Sequence, residues 1–509
     1  MIGKSVAAIV AALILLPLAA VFLRAGAWPR LGPGDWQAVV FTVQQAFLSA
    51  AVACGLAIPV ARALARRRFP GRSALIMVMG APFILPVIVA VMGLIAVFGR
   101  SGLVNDLLAA VGLPEVSIYG QTGVVVAHVF LNLPLAVRML LQGWQAIPAE
   151  RFRLAESLAF GPQQTFWHFE RPMLKAVAPG AFTVIFVICL TSFAVALTLG
   201  GGPRATTVEL AIYQAVKFDF DLGRAGLLAA VQFGICFLAA TMAWRVTVPT
   251  AFGAGMGRLV PVPAPGGLHR WGDILAIGLA ALFLILPLAA VVLRGVPGLL
   301  DLPDVAWAAL GRSLVVAVVS MLVTVTAALS LALTVAQRAQ GHRWVDIAAL
   351  LPLATSGLVL GVGLFLIIQP VMVPDRVALI VTVLVNATLS LPFVYRLMLP
   401  ETQALAADFG RVAASLNLHG VARLRWVTLP RLARPIGFGA GVSAAFSMGD
   451  LGVIALFAGD QSATLPLIVQ RLMGAYRMDQ AMGAALLLVS SSLALFWICD
   501  AWGKRYAST

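Results

Sequence analysis

The sequence predicts an all-α integral membrane protein of about twelve transmembrane helices arranged as two homologous halves. Three observations carry that expectation: too little polar surface for water, apolar runs of membrane-spanning length, and a block of residues that occurs twice. Of the 509 residues, 61% are hydrophobic and 11% charged, with a mean hydropathy of +0.99. Soluble domains hold about 45–50% apolar and about 25% charged residues, so this chain cannot clothe a water-facing surface with polar groups. The run 5–23 carries no charge and 271–293 only Asp273. Runs of about 20 residues match the hydrocarbon core of a bilayer.

Apolar runs between charged or Gly/Pro-rich breaks place six spans in the first half, near 5–23, 38–61, 73–98, 118–141, 178–200 and 224–246. Six more fall near 272–293, 310–335, 345–369, 377–399, 436–458 and 480–502. The Gly/Pro-rich segment 250–268 between them reads as a linker. An even number of spans puts both termini on one side of the membrane.

The net charge of +15 raises the possibility of nucleic-acid binding. It is rejected because roughly two-thirds of the Lys and Arg fall in one alternate set of loops, the bias that faces the cytoplasm. The densest clusters are Arg62, Arg66, Arg67, Arg68 and Arg72, and Arg411, Arg423, Arg425, Arg431 and Arg434. Both termini are therefore expected in the cytoplasm, the basic tail Lys504–Arg505 agreeing. The first apolar run is too long for a signal peptide's core and reads as an uncleaved span. Cys54, Cys189, Cys236 and Cys499 sit far apart inside apolar runs and read as small buried hydrophobes.

The repeat is specific. At an offset of 258 residues Pro134 falls on Pro392, Arg138 on Arg396, Arg153 on Arg411, Ala155 on Ala413, Ser157 on Ser415, Leu158 on Leu416 and Pro172 on Pro430. Apolar, charged and helix-breaking types all match, in the same orientation, so the repeat is parallel. The block lies in the longest charged stretches of each half, 150–175 and 408–434. Each is expected to open a short helix at an acidic residue, Glu150 or Asp408, where the helix dipole favours negative charge. A break follows at Ala159, Phe160, Gly161 and Pro162, and at Asn417, Leu418, His419 and Gly420. A second short helix then runs to Pro172 or Pro430, where the chain re-enters the membrane. Small residues at 155, 157, 413 and 415 would admit a partner, and the arginines would anchor to lipid head groups or to carboxylates on that partner.

RLAESLAFGPQQTFWHFERPML at 153–174 and RVAASLNLHGVARLRWVTLPRL at 411–432 resemble the EAA segment of type I ABC-importer permeases. The family's Glu falls at Arg153 and Arg411 and its Gly at Ala159 and Asn417, with Gly161 and Gly420 two and three residues later. Arg67–Arg72, GGGPRATTVELAIYQA at 200–215 and SMGDLGVIALF at 447–457 resemble the fused permeases of thiamine and thiamine pyrophosphate transporters, a likeness covering most of the chain. Fused iron(III) permeases share the architecture and stand as the alternative.

The resemblance implies the type I ABC-importer permease fold in a bacterial inner membrane. It divides the chain into a first helix and outer loop (1–37), a first permease unit (38–247), a linker and seventh helix (248–307), a second unit (308–502) and a tail (503–509). It implies two copies of a cytoplasmic ABC ATPase docked on Arg153, Ala155, Glu156, Ser157, Leu158, Ala159, Phe160 and Gly161, and on Arg411, Ala413, Ala414, Ser415, Leu416, Asn417, Leu418 and Gly420. A periplasmic substrate-binding protein is expected on outer loops such as 200–221 and 460–479.

Asp450 lies inside an apolar stretch, where an ionisable group points to function. With Ser447 it either faces a central pathway and meets a cationic substrate, or it breaks and caps its helix. Asn132, one turn from His128, either lines the pathway or bonds a neighbouring helix. Pro134 and Pro392 are expected to kink their spans. No GxxxxGK[ST] loop occurs, so ATP hydrolysis is expected of a separate polypeptide. No HExxH, no GxSxG and no intramembrane carboxylate or histidine pair is evident, which speaks against an intramembrane enzyme and an ion-coupled secondary transporter. No catalytic residue, metal site or cofactor is expected.

Overall fold

A computed structural model describes residues 2–24, 31–80, 84–200, 202–244, 267–336 and 343–508; the predicted linker lies outside them over 250–266. Every regular element among the described residues is helical. The first half begins with α1 (Ile2–Arg24), α2 (Pro33–Arg66), α3 (Arg72–Val78), α4 (Val87–Phe98), α5 (Leu103–Ala110) and α6 (Gln121–Ala146). It continues through α7 (Ala149–Ser157), α8 (Pro162–Thr165), α9 (Arg171–Leu190), α10 (Phe193–Leu199), α11 (Val208–Lys217) and α12 (Leu222–Trp244). The second half holds α13 (Leu268–Leu299), α14 (Asp304–Ala336), α15 (Arg343–Leu350), α16 (Gly357–Ile368) and α17 (Ala378–Ser415). It ends with α18 (Gly420–Arg423), α19 (Leu429–Met448), α20 (Gly452–Phe457), α21 (Leu465–Gly474) and α22 (Met478–Ser508). Among the described residues eleven stretches are long and apolar enough to cross a membrane, or twelve if the segment 343–368, bent by 96°, is one span. This is a multi-pass membrane protein.

The two halves interlock through their first helices. Helix α1 packs on α16 of the second half, and α13 packs on α4 of the first. Both contacts are closed by glycine against a proline carbonyl. A methyl on Gly93 would sit 2.6 Å from the Pro287 carbonyl oxygen, and one on Gly363 closer still to that of Pro17. Small residues let helices approach where lipid provides no hydrophobic drive. On the far faces of α1 and α13, Leu16, Leu279 and Leu282 are exposed, as befits a surface solvated by acyl chains.

Four of the predicted continuous spans are broken. The breaks fall between α3 and α4 and at 191–192, 351–356 and 449–451. Pro86 and Pro352 lack the N–H that an uninterrupted helix needs. Ser356 starts α16 by accepting a hydrogen bond from the Val359 N–H at 3.2 Å. Asp450 precedes α20, its carboxylate placed beside the backbone N–H groups that open that helix. An apolar run therefore fixed the number of crossings but concealed where the helices stop.

Asp273, the one charge in its apolar run, accepts from Arg66 Nε at 2.9 Å and Arg67 Nε at 2.7 Å, fastening α13 to the end of α2. Arg66 and Asp273 are both buried. Removing one partner of a buried ion pair costs about 3–5 kcal/mol because the other charge is left uncompensated. Asp273→Ala is expected to lower the thermal denaturation temperature of the purified chain by several degrees, whereas Asp304→Ala, at the exposed start of α14, costs only the smaller helix-dipole contribution, about 0.3–1 kcal/mol.

Candidate functional site: paired elbows and a cavity between the halves

The repeated block forms two elbows at one end of the bundle. Helix α7 ends in a Schellman motif: the Phe160 N–H bonds the Ala155 carbonyl at 2.9 Å and the Ala159 N–H that of Glu156 at 3.0 Å. The second copy repeats it, Leu418 to Ala413 at 2.9 Å and Asn417 to Ala414 at 3.1 Å. The motif requires a left-handed residue, and Ala159 and Asn417 supply it at φ +52° and +53°. These are the positions of the EAA segment's glycine, which is the residue that conformation favours.

The elbows then continue through α8 and α18 into five-residue π-helical turns, Phe166–Glu170 and Leu424–Thr428. Two expectations change here. The chain does not break at Pro172 or Pro430, because the wider π turn immediately before each proline accommodates its ring and its missing N–H. Asp408 does not open a helix. Helix α17 runs 38 residues unbroken to Ser415 because Ala406 stands where Pro148 separates α6 from α7. Glu150 does lie in the first turn of α7.

Most expected docking positions face outward: Arg153, Glu156, Ser157, Leu158 and Ala159 in one elbow, Arg411, Ala414, Ser415, Leu416, Asn417 and Gly420 in the other. Phe160, Gly161 and Leu418 are half-buried. Ala155 and Ala413 are buried, at 1% and 3% exposure, so these small residues serve the elbow's own packing and not the approach of a partner. Sequence reasoning missed Leu154 and Val412, which with Leu158 and Leu416 make an exposed apolar pair at i, i+4 on each elbow. Their signal was present: apolar residues repeated at one offset inside otherwise charged segments.

Between the halves lies a cavity of about 460 Å³, with walls formed where the helix breaks meet: Thr191 and Ser192, Thr355 and Ser356, Gly449 and Asp450. Asp450 stands both at the helix break and in the cavity wall. Ser447 and Asn132 do not line the cavity. Ser447 accepts from Asn386 Nδ2 at 3.1 Å and donates to Ser320 at 3.2 Å, and Asn132 donates to the His128 carbonyl at 2.9 Å. Pro134 and Pro392 sit inside the uninterrupted helices α6 and α17.

A second carboxylate in the wall, Glu209, escaped the sequence reading because it begins the ten-residue α11, too short to register as a span. Its position is set by α2 of the same half, where Thr42 Oγ1 accepts from the Val208 N–H at 2.9 Å. The second half anchors α21 the same way, Ser313 Oγ accepting from the Leu465 N–H at 2.8 Å.

No family model matches the chain. The thiamine transport system permease protein of Brucella abortus (strain 2308) is 37% identical over 480 residues, 91% of this chain and 87% of its own length. That of Salmonella typhimurium is 36% identical over 522 residues, covering 100% of this chain and 97% of its own. The chain belongs to the thiamine transport system permease family. A probable sulfate transport system permease protein of Helicosporidium sp. is 29% identical over 217 residues, which is 41% of this chain but 80% of its own length. One half of this fused permease thus has nearly the size of that whole permease.

At the end of the permease opposite the elbows, α11 and α21 lead into two aromatic tips. Phe220 and Tyr476 are 79% and 89% exposed and both left-handed, at φ +52° and +59°.

The elbow geometry gives a direct stability test. A non-glycine residue in the left-handed region is strained by about 1–2 kcal/mol, and asparagine tolerates it better than alanine. Ala159→Gly is expected to stabilise the permease by about 1 kcal/mol after glycine's greater unfolded-state entropy is subtracted. Asn417→Gly should change it less, and Asn417→Val should destabilise it. Thermal denaturation of the three variants in one detergent checks the order.

Proposed function

We propose that this chain is the membrane-spanning subunit of an ATP-driven ABC importer that carries thiamine, and thiamine pyrophosphate, across a bacterial inner membrane. Near-full-length likeness to the thiamine permeases supports the substrate, and nothing in the comparisons favours iron(III). The observation that carries the mechanism is the pair of elbows. Each offers a helix end bearing an exposed apolar pair, Leu154 and Leu158 or Val412 and Leu416, flanked by Arg153 or Arg411. Exposed apolar clusters rimmed by charge mark protein contacts, and one per half suits two copies of a cytoplasmic ATPase. The elbow end, rich in arginine, is then cytoplasmic, and both termini lie on that side.

The opposite end receives a periplasmic binding protein on the loops 200–221 and 460–479, where Phe220 and Tyr476 project. ATP-driven closure of the two ATPases draws the elbows together and tilts the halves so that the cavity opens outward; hydrolysis and release return it to the inner side. The chain performs no hydrolysis itself. Membrane lipid covers the exposed leucines of α1 and α13.

Reconstitution of the permease with its ATPase and binding protein tests this reading. Thiamine uptake into proteoliposomes is expected to need ATP and both partners. Leu158→Asp combined with Leu416→Asp is expected to cut ATPase co-purification and uptake at least tenfold while the permease keeps its denaturation temperature. Uptake by the chain alone without ATP would overturn the proposal in favour of a secondary transporter.

A further inference from the structure

We propose that Glu209 and Asp450, one from each half, together bind the positive charge of an organic cation in the cavity between the halves. The inference rests on the reading above that the chain moves a small solute through this cavity. Glu209 is 2% exposed, and one oxygen of each carboxylate, Glu209 Oε1 and Asp450 Oδ2, is buried without a hydrogen-bond partner. Both side chains line the same cavity. A buried ionised carboxylate with no compensating partner is among the costliest features a membrane protein can hold, and such groups face interior pathways.

Among the described residues neither carboxylate has a salt-bridge partner. Arg396, the one cation among the described residues of the same wall, forms an ion pair with neither carboxylate. The positive charge that would satisfy Glu209 and Asp450 is therefore not supplied by the wall itself.

The two carboxylates sit in a pre-organised setting: the Ser356 hydroxyl stands beside Glu209 and the N–H groups that open α20 stand beside Asp450, while one buried oxygen of each has no protein partner. The rest of the wall is largely apolar, with Phe193, Leu358 and Val187 among its side chains. A volume of about 460 Å³ lies within the range of small-molecule sites, about 300–1,000 Å³. A bare metal ion would instead need a close shell of about six oxygen ligands, and no group of three or more candidate metal ligands occurs among the described residues.

The carboxylates also depart from the repeat. Ser192 stands at the position equivalent to Asp450, and Pro466 at that equivalent to Glu209. The two halves thus share a scaffold but not its charges. The resulting site has no two-fold symmetry, as a single asymmetric cation requires.

Binding to the full chain assembled with its ATPase in nanodiscs tests the pair. The probes are thiamine and an isostere in which a neutral benzene ring replaces the thiazolium. The wild type is expected to bind thiamine at least tenfold tighter than the isostere. Glu209→Gln and Asp450→Asn should each weaken thiamine about tenfold, roughly 1.4 kcal/mol, and leave the isostere unchanged. Sodium or potassium ions should not displace thiamine.

Equal wild-type affinity for the two probes, no measurable binding of either, displacement by sodium or potassium, or unchanged thiamine affinity in both variants would overturn the inference. The wild-type comparison decides even where a variant fails to fold. If the complete transporter imports thiamine and neither substitution affects its binding, this site fails and the proposed function stands. If it imports a different organic cation and both substitutions weaken that cation's binding, the thiamine reading fails and this site stands.

Discussion

The architecture depends on one constraint: a backbone group freed by a helix break inside a bilayer must find a partner within the protein. Four spans are broken here, and the breaks are tolerable because each half is covered by the first helix of the other. The exchange of α1 and α13 works only at close range. At Gly93 and Gly363 the neighbouring helix lies against the glycine through a proline carbonyl, leaving no room for a β-carbon. The proline itself contributes, since a helix carrying Pro17 or Pro287 has given up one internal N–H donor. With the flanks sealed this way, residues 191–192, 351–356 and 449–451 can leave α-helical geometry, 351–354 as a 3-10 turn, at the interface between the halves, and the cavity is the space they enclose.

Symmetry and its violation do separate work in this fold. Equivalent residues are 258 apart from the elbows through α9 and α19, but 270 apart for the pairs Pro17 and Pro287, and Gly93 and Gly363. The twelve-residue difference is α5 and its loop, present only in the first half. Elements that must take equal mechanical roles obey the repeat: the Schellman turns, the π turns and the hydroxyl anchors Thr42 and Ser313. Elements that set charge do not. Arg62 pairs with Glu170 at 2.6 Å in the first half, where the second has Thr428, and the carboxylates of the cavity sit at non-equivalent positions. A duplicated scaffold need not carry a duplicated site.

The class of the protein and the elbows were legible in the sequence for a physical reason. Hydrocarbon imposes a composition, and a repeated charged block amid apolar spans has no packing explanation. The breaks were not legible because a hydropathy run averages over the Ser, Thr and Gly residues that end a helix at 191–192 or 355–357. Asp450 stood out as a lone charge in an apolar stretch. Glu209 did not, because α11 is short and its flanks are polar. Ala155 and Ala413 were misread as partner-facing because residue size predicts a close approach without saying from which side it comes. Here both side chains face into the protein.

Elbow and cavity are two ends of one rod. From Pro162 the chain is helical without interruption to Leu190, 29 residues or about 40 Å, and it stops at the break whose Ser192 forms part of the cavity wall. In the second half Gly420 leads through α19 to Met448, beside the break that places Asp450 in the same wall. Displacement of an elbow therefore needs no relay of side-chain rearrangements to reach the cavity, because a continuous helix carries it. The upstream attachments differ. Elbow one is hinged to α6 at Ile147 and Pro148, whereas elbow two is the continuous end of α17. Equal pulls on the two elbows would then move the two walls unequally. The wall holding Asp450 would follow α17 and α19 together, and the wall holding Ser192 would turn about the hinge, changing the shape of the cavity as well as its opening.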